Sequence, residues 1–197
     1  MTNRIKCIVL KKIAYKDTSL LITSLSEEYG RVDFILRGAR RITSKSSSSA
    51  DLFREISIPF RENNGLMTIY KTELISQFDA IAANTDAFME ACEICRFLIR
   101  NTRPSIQTPL SYKALKTALS RLSLGTCRDC LVLLKLVFLE EQGFLPEVDS
   151  ARGGGGGMLL KLLAAGRGDA PYPKLDDTYI NEISLWTDRL CRYHDLI

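Results

Sequence analysis

Ser19-Leu20-Leu21-Ile22-Thr23-Ser24-Leu25, then Ser26-Glu27-Glu28-Tyr29-Gly30, then Arg31-Val32-Asp33-Phe34-Ile35-Leu36 is the stretch that decides the fold. Two runs of apolar and β-branched residues flank a short polar connection that ends in glycine. Glycine adopts positive φ without strain, so the whole reads as a β-hairpin. Upstream, residues 4–15 alternate, with Ile5, Cys7 and Val9 on one face and Lys6, Ile8 and Leu10 on the other. Downstream, residues 52–60 alternate Ile56, Ile58 and Phe60. Asn63-Asn64-Gly65 then signals a turn, and residues 66–78 supply a fifth run.

Five short strands within about 80 residues predict a small closed barrel, and the OB-fold is the barrel of that strand number. After residue 80 the apolar period becomes helical. Asn84 or Thr85 is a cap for a helix through Arg100, with Phe88, Cys92, Cys95 and Ile99 as its stripe. Thr108-Pro109 reads as an N-cap followed by proline at the first helical position, where its missing N–H costs nothing. That helix stops at Gly125, and Thr126 caps another that ends at Gly143, so the two predict an antiparallel hairpin. Gly153–Gly157 is expected to be a mobile loop, because glycine loses the most freedom on ordering. A short helix at 158–165, a loop at 166–177 and a last helix at 177–193 complete the reading. That last helix carries Ile183, Trp186, Leu190 and Tyr193 on one stripe. The expected class is therefore α+β: a barrel domain over residues 1–80 and an all-helical domain over 81–197.

The 197 residues suffice to bury a real core, and 46% hydrophobic with 25% charged is ordinary for a globular protein. No apolar run reaches membrane-spanning length. The start, Met1-Thr2-Asn3-Arg4-Ile5-Lys6, has no signal-peptide core, so a cytoplasmic location is expected and no membrane. The net charge of +4 is unevenly placed. Residues 1–80 carry 13 Lys and Arg against 9 Asp and Glu, whereas 81–197 carry 14 against 14, so the whole excess lies in the barrel half.

Much of that excess is concentrated in Arg37-Gly38-Ala39-Arg40-Arg41, followed by Lys45 and a serine run, with no acidic residue from 35 to 50. Uncompensated cations on one exposed turn repel each other unless a polyanion binds, which makes nucleic acid the first hypothesis. Guanidinium suits phosphate because it donates in a planar fork and stays charged. Lys11, Lys12 and Lys16, at the end of the first run, join the candidate nucleic-acid contacts, and Arg61 and Lys71 flank the last hairpin. Tyr15, Tyr29, Phe34, Phe53, Phe60 and Tyr70 are available for base stacking, although a small barrel needs most of its aromatics as core.

Cys92-x-x-Cys95 and Cys127-x-x-Cys130 have zinc-like spacing, yet they fall on or at the start of amphipathic helices without the turn residues of a zinc knuckle. Buried packing is the expected role, with metal or redox use the alternative. Cys7 and Cys191 read as isolated buried thiols. His194, the only histidine, has no nucleophile partner and is expected at the surface, and Glu140-Glu141 reads as a solvated face. The glycine tract lacks the Lys-Ser/Thr of a phosphate loop. No catalytic constellation, cofactor motif or metal site is read.

Ile8-Val9-Leu10-Lys11, Asp17-Thr18-Ser19-Leu20-Leu21, Tyr29-Gly30-Arg31-Val32 and Arg37-Gly38-Ala39-Arg40-Arg41 resemble, in order, the N-terminal barrel of the RecO recombination mediators. Gly65-Leu66 and Glu73-Leu74 fall at that family's last barrel hairpin, and Leu139-Glu140-Glu141-Gln142-Gly143-Phe144-Leu145-Pro146 resembles the Gly-Phe-x-Pro segment of its helical domain. The resemblance covers residues 1 to about 148. It implies an OB barrel followed by a helical bundle, and a non-catalytic role. That role is binding single- and double-stranded DNA, annealing strands, and acting with RecR to load recombinase onto strands coated by single-strand-binding protein. The family's four-cysteine zinc module does not carry over, since no cysteine follows Pro146 until Cys191. The alternative is a non-catalytic protein-interaction adaptor with incidental DNA contact.

Overall fold

The computed structural model describes residues 3–41, 49–60, 66–125, 129–146 and 154–196. The chain divides into two compact units: one of residues 1–80 with 102–109, the other of 81–101 with 110–197.

The first unit is a curled six-stranded sheet in the order β5-β3-β2-β1-β4-β6. The long β1 (Asn3–Tyr15) pairs antiparallel with β2 (Ser19–Ser26) on one side and β4 (Glu55–Phe60) on the other, and β2 pairs with β3 (Gly30–Leu36). The expected fifth run is one bent segment. Its first part, β5 (Met67–Ile69), lies parallel to β3, and its second, β6 (Glu73–Ser76), lies antiparallel to β4. Ten residues that touch both β3 and β4 draw the sheet's two sides together, the strand arrangement of an OB-type barrel. Inside are Ile5, Cys7, Val9, Ile22, Val32, Phe34, Leu36, Ile56, Ile58, Phe60 and Ile69. Phe34, Phe53 and Phe60 are thus core, and Tyr29 packs on Phe60 with ring centroids 4.1 Å apart.

Gly30 closes the β2–β3 hairpin at φ +60°. Segment 102–109 runs against this hairpin, through Arg31 N–H to Arg103 O (3.2 Å) and Ser105 N–H to Tyr29 O (2.9 Å). A Cβ at position 30 would lie 2.2 Å from Ile106 O and 2.5 Å from Arg103 O, so both conformation and space demand glycine there.

The second unit contains α1 (Thr85–Asn101), α2 (Pro109–Ser123), α3 (Cys130–Glu141), α4 (Gly154–Arg167) and α5 (Asp177–Tyr193). Asn84 caps α1 by accepting from Ala87 N–H at 3.0 Å, as its sequence position implied. α3 is apolar on nearly every side, and it packs against α1, α4 and α5, with Phe97 edge-on to Phe138 at 5.2 Å.

Four expectations change here. Glu141 is not a solvated residue: its carboxylate accepts from Leu110 N–H (2.7 Å), Ser111 N–H (3.2 Å) and the Ser111 hydroxyl, closing the N-terminus of α2. Thr108 therefore does not cap α2; its hydroxyl donates to Ser26 O at 3.4 Å. Glu140 is held by the guanidinium of Arg167 at 2.6 Å. Gly154–Gly157 form the first turn of α4 rather than a loop. Glycine costs about 1 kcal/mol per position in a helix relative to alanine, and burial of Leu159, Leu162, Leu163 and Ala165 along the same helix offsets it.

Burial on α5 follows Thr187 and Cys191, and Tyr193 is exposed, so the helix is rotated from the expected stripe. Thr187 can be buried because its hydroxyl donates to Ile183 O at 2.7 Å. His194 is the C-cap of α5, with its ring stacked on Phe144 at 4.1 Å. The cap expected at Thr126, the Asn63-Asn64-Gly65 turn, Gly153, Arg61, Lys45 and Cys127 lie outside the described residues.

Candidate nucleic-acid interface

The basic turn leaves β3 at one end of the barrel. Arg37 N–H donates to Ile69 O at 2.9 Å, so the turn starts beside β5, and Gly38 takes φ +70°. Arg41 N–H closes the turn on Gly38 O at 3.2 Å. Ala39 is buried as the anchor, which leaves Arg37, Arg40 and Arg41 exposed around it. Arg40 ties the turn to the tip of the β1–β2 hairpin twice: its N–H donates to Thr18 O (3.0 Å) and its guanidinium to Lys16 O (3.2 Å). Lys16, itself at φ +51°, places its ammonium 5.5 Å over the Tyr15 ring. Two loops far apart in sequence therefore bring Lys16, Arg37, Arg40 and Arg41 to one rim. Among the described residues none of the four forms an ion pair with a carboxylate.

Lys11 and Lys12 are adjacent in sequence but separate in the barrel. The β1–β2 register slips between Val9 and Lys11, a β-bulge at Leu10 that reverses the alternation of the strand. Lys12 then falls opposite the core residue Ile22, on the inner side, where its ammonium pairs with Asp51. Burial alone would raise the Asp51 carboxyl. The hydrogen bonds from Lys12 and Leu52 N–H, with the charges of Lys12 and Arg54, hold it below the usual carboxylate range instead. Lys11 falls opposite Thr23 on the outer side; Thr23 donates to Asp33 at 2.6 Å, and Arg31 pairs with Asp33 at 3.3 Å. The six apolar positions of the candidate stackers divide likewise: Phe34, Phe53 and Phe60 are inside, Tyr29 is half-buried on Phe60, and only Tyr15 and Tyr70 stand at the rim.

The sequence carried one unread sign of this split. Ile8-Val9-Leu10 followed by Lys11-Lys12 breaks strict alternation, which a bulge explains. Nothing in the sequence marked Asp51 as the partner of Lys12 or Arg40 as the tether between loops.

Among the described helical cysteines, Cys95, Cys130 and Cys191 are buried and Cys92 is half-buried. Burial raises the Cys95 thiol strongly and Cys92 less, and in the barrel the Cys7 thiol is pushed up to about 12. Among the described residues no group of three His, Cys, Asp or Glu side chains has metal-holding geometry. No helix is long and apolar enough to cross a membrane among those residues either.

The class of protein is defined by an OB-type barrel with a cationic rim, followed in the chain by a helical unit. Residues 1–78 match the family model described as "Recombination protein O N terminal". The chain is 29% identical over 145 residues to "DNA repair protein RecO" of Thermodesulfovibrio yellowstonii, covering 72% of this chain and 58% of that protein. The proteins of the same name from Bacillus pumilus and Bacillus subtilis are 25% and 24% identical, over 72% and 76% of this chain and 56% and 59% of their own lengths. Over these residues the chain is similar to the RecO proteins. Its matches span a little under three-fifths of those relatives' lengths.

Proposed function

We propose that this chain is a DNA repair protein that binds DNA without chemistry, through the rim formed by Arg37, Arg40, Arg41 and Lys16. Lys11 and Lys45 extend the contact, and Lys12 joins when phosphate replaces Asp51. In this reading the protein anneals complementary strands. It also helps load recombinase onto strands coated by single-strand-binding protein, together with a RecR-like partner. The observation that carries the reading is the tethered pair of loops holding four cations with no carboxylate partner among the described residues. Apart from the Arg40 tether, the rim charges meet no carboxylate among the described residues, whereas a polyanion releases counterions on meeting them. The name shared by the relatives, "DNA repair protein RecO", supports the same reading.

The helical unit contributes a cleft of about 240 Å³ lined in part by Phe97 and Leu131, by the cations Arg96, Arg100, Lys135 and Arg192, and by Glu93 and Asp188, which pair with Arg96 and Lys135. The single-strand-binding protein enters the proposal by the resemblance to RecO, and this cleft is offered as the seat of its tail.

Fluorescence anisotropy of a labelled single strand across a salt series tests the rim. Each neutralised phosphate adds about −0.7 to the log–log slope. Arg37→Ala/Arg40→Ala/Arg41→Ala should flatten that slope by about 2 and weaken binding to all sequences alike. Unchanged affinity and slope in the triple variant would remove these residues from the interface.

A further inference from the structure

The apolar stripe that the sequence places on α5 is left at the surface. Ile183, Trp186, Leu190 and Tyr193, continued one turn back by Tyr179, recur at alternating spacings of four and three. The helix is buried instead on Thr187 and Cys191, about 100° further round. Tyr179, Ile183, Trp186 and Leu190 are half-buried, and Tyr193 is 82% exposed. Ile183 reaches the small apolar cavity under the helix, which marks the inner edge of the stripe. On the outer side Leu185 is 55% exposed. Alternating spacing of this kind is the seam along which two helices pack side by side. Tryptophan and tyrosine recur at the centres of protein interfaces, where they bury much area with few rotatable bonds.

The outer border of the stripe carries two opposite charges, Glu182 and Arg189, both exposed and neither in an ion pair among the described residues. We propose that α5 is the interface of a two-fold dimer, in which the stripe of a second copy lies antiparallel on its own. Ile183 then packs on Trp186 of the second copy and Tyr179 on Leu190 of the second copy, and the axis repeats both layers. This register sets Glu182 beside Arg189 of the second copy, and the axis repeats that pair as well. A border that reads acid then base is complementary to itself when reversed, which is what a two-fold interface requires. Parallel pairing would turn these charges towards Thr187 and His194 of the second copy. Those positions are already taken up by the fold, since Thr187 is fully buried and His194 stacks on Phe144. The other charges of the helix leave the seam clear. Asp188 pairs with Lys135 at 2.8 Å, Arg192 lines the cleft beside Phe97, and Asp176 caps the helix by accepting from Tyr179 N–H at 2.7 Å. Asp177 and Asp195 fall on the far side by the helical period.

Sedimentation equilibrium over a concentration series tests the dimer, with the emission of Trp186, the only tryptophan, as a second readout. The wild-type protein should pass from monomer to dimer as concentration rises, and the emission should shift to the blue in step. Glu182→Arg and Arg189→Glu should each weaken association roughly tenfold, because each sets two like-charge contacts across the axis in place of two ion pairs. An equal mixture of the two variants should dimerise as wild type does, since each copy then meets its complement. The double variant, with the charges exchanged, should do the same. A role of either residue in folding alone predicts no such rescue. A wild-type protein that stays monomeric from micromolar to near-millimolar concentration overturns the proposal and leaves the stripe to another partner. A dimer indifferent to both reversals overturns it too, as does weakening that neither the mixture nor the double variant repairs. The test uses no nucleic acid, so a failed rim leaves the dimer standing and a failed dimer leaves the rim.

Discussion

The two units handle charge in opposite ways. In the helical unit, 81–101 with 110–197, 13 cations nearly balance 14 anions, and key carboxylates close gaps in the backbone. Glu141 takes the free N–H groups of α2, Glu90 accepts from Leu131 N–H at the start of α3 (2.9 Å), and Arg167 joins Glu140 to Asp169. In the barrel only one rim side chain, that of Arg40, closes a backbone gap among the described residues. Arg40 donates to a backbone carbonyl, and Arg37 and Arg41 enter the turn through their main-chain N–H groups. A charge that closes a helix end stabilises the fold. A charge that faces water adds only repulsion until a counterion arrives.

The largest effect expected from this contrast is Glu141→Ala. It strips two backbone N–H groups and a hydroxyl of their acceptor and removes an anion from a helix N-terminus, costing about 2–4 kcal/mol in urea denaturation. DNA affinity should stay at the wild-type level. A variant that unfolds at the wild-type urea midpoint would show that the cap is dispensable. Arg167→Ala comes next at about 1–2 kcal/mol, because its Nη1 donates to both Glu140 oxygens in a contact mostly shielded from water. The barrel supplies the counterpart: Arg37→Ala/Arg40→Ala/Arg41→Ala should shift stability by no more than about 0.5 kcal/mol, with any gain greatest at low salt. A loss well beyond that would mean the rim is structural and would break the contrast.

What the sequence disclosed follows the range of the forces involved. Strand runs, the helical switch after residue 80, Gly30, Asn84 and Pro109 were legible because each reports a local preference of the backbone. The arginine turn was legible because charge imbalance is visible in one dimension. The Glu141 cap spans 30 residues or more, and the Lys12–Asp51 pair spans 39, so neither leaves a local signature. The glycine tract misled for a related reason. Propensity argued for loop, but the leucines that follow it are buried, and tertiary packing of one apolar face outweighs a first turn of weak helix formers. The bulge at Leu10 lies between these cases. Its broken alternation is visible in sequence, but which lysine turns inward depends on the register with β2.

The finest test uses the opposite pKa shifts of two acids. Glu90 in the helical unit is raised, first by burial and then by the nearby charge of Asp129, against the hydrogen bond from Leu131 N–H and the charge of Arg121. Between the usual glutamate range and that raised value the folded state binds more protons than the unfolded chain. Stability therefore falls as pH climbs through this window and stays lower above it. Glu90→Gln keeps an acceptor for Leu131 and removes the titration, so its urea-derived stability should be flatter with pH there and gain on wild type near neutrality. Asp51 in the barrel is depressed, so its contribution is present above the ordinary aspartate range and is lost as pH falls through the lowered value. Asp51→Asn should remove that acid-side loss, an effect kept small by the solvent around the Lys12 pair. If both variants follow the wild-type pH profile in parallel, these two carboxylates do not set the pH dependence of either unit. Slopes of opposite sign that vanish separately would show that burial governs the helical acid and a cation the barrel one.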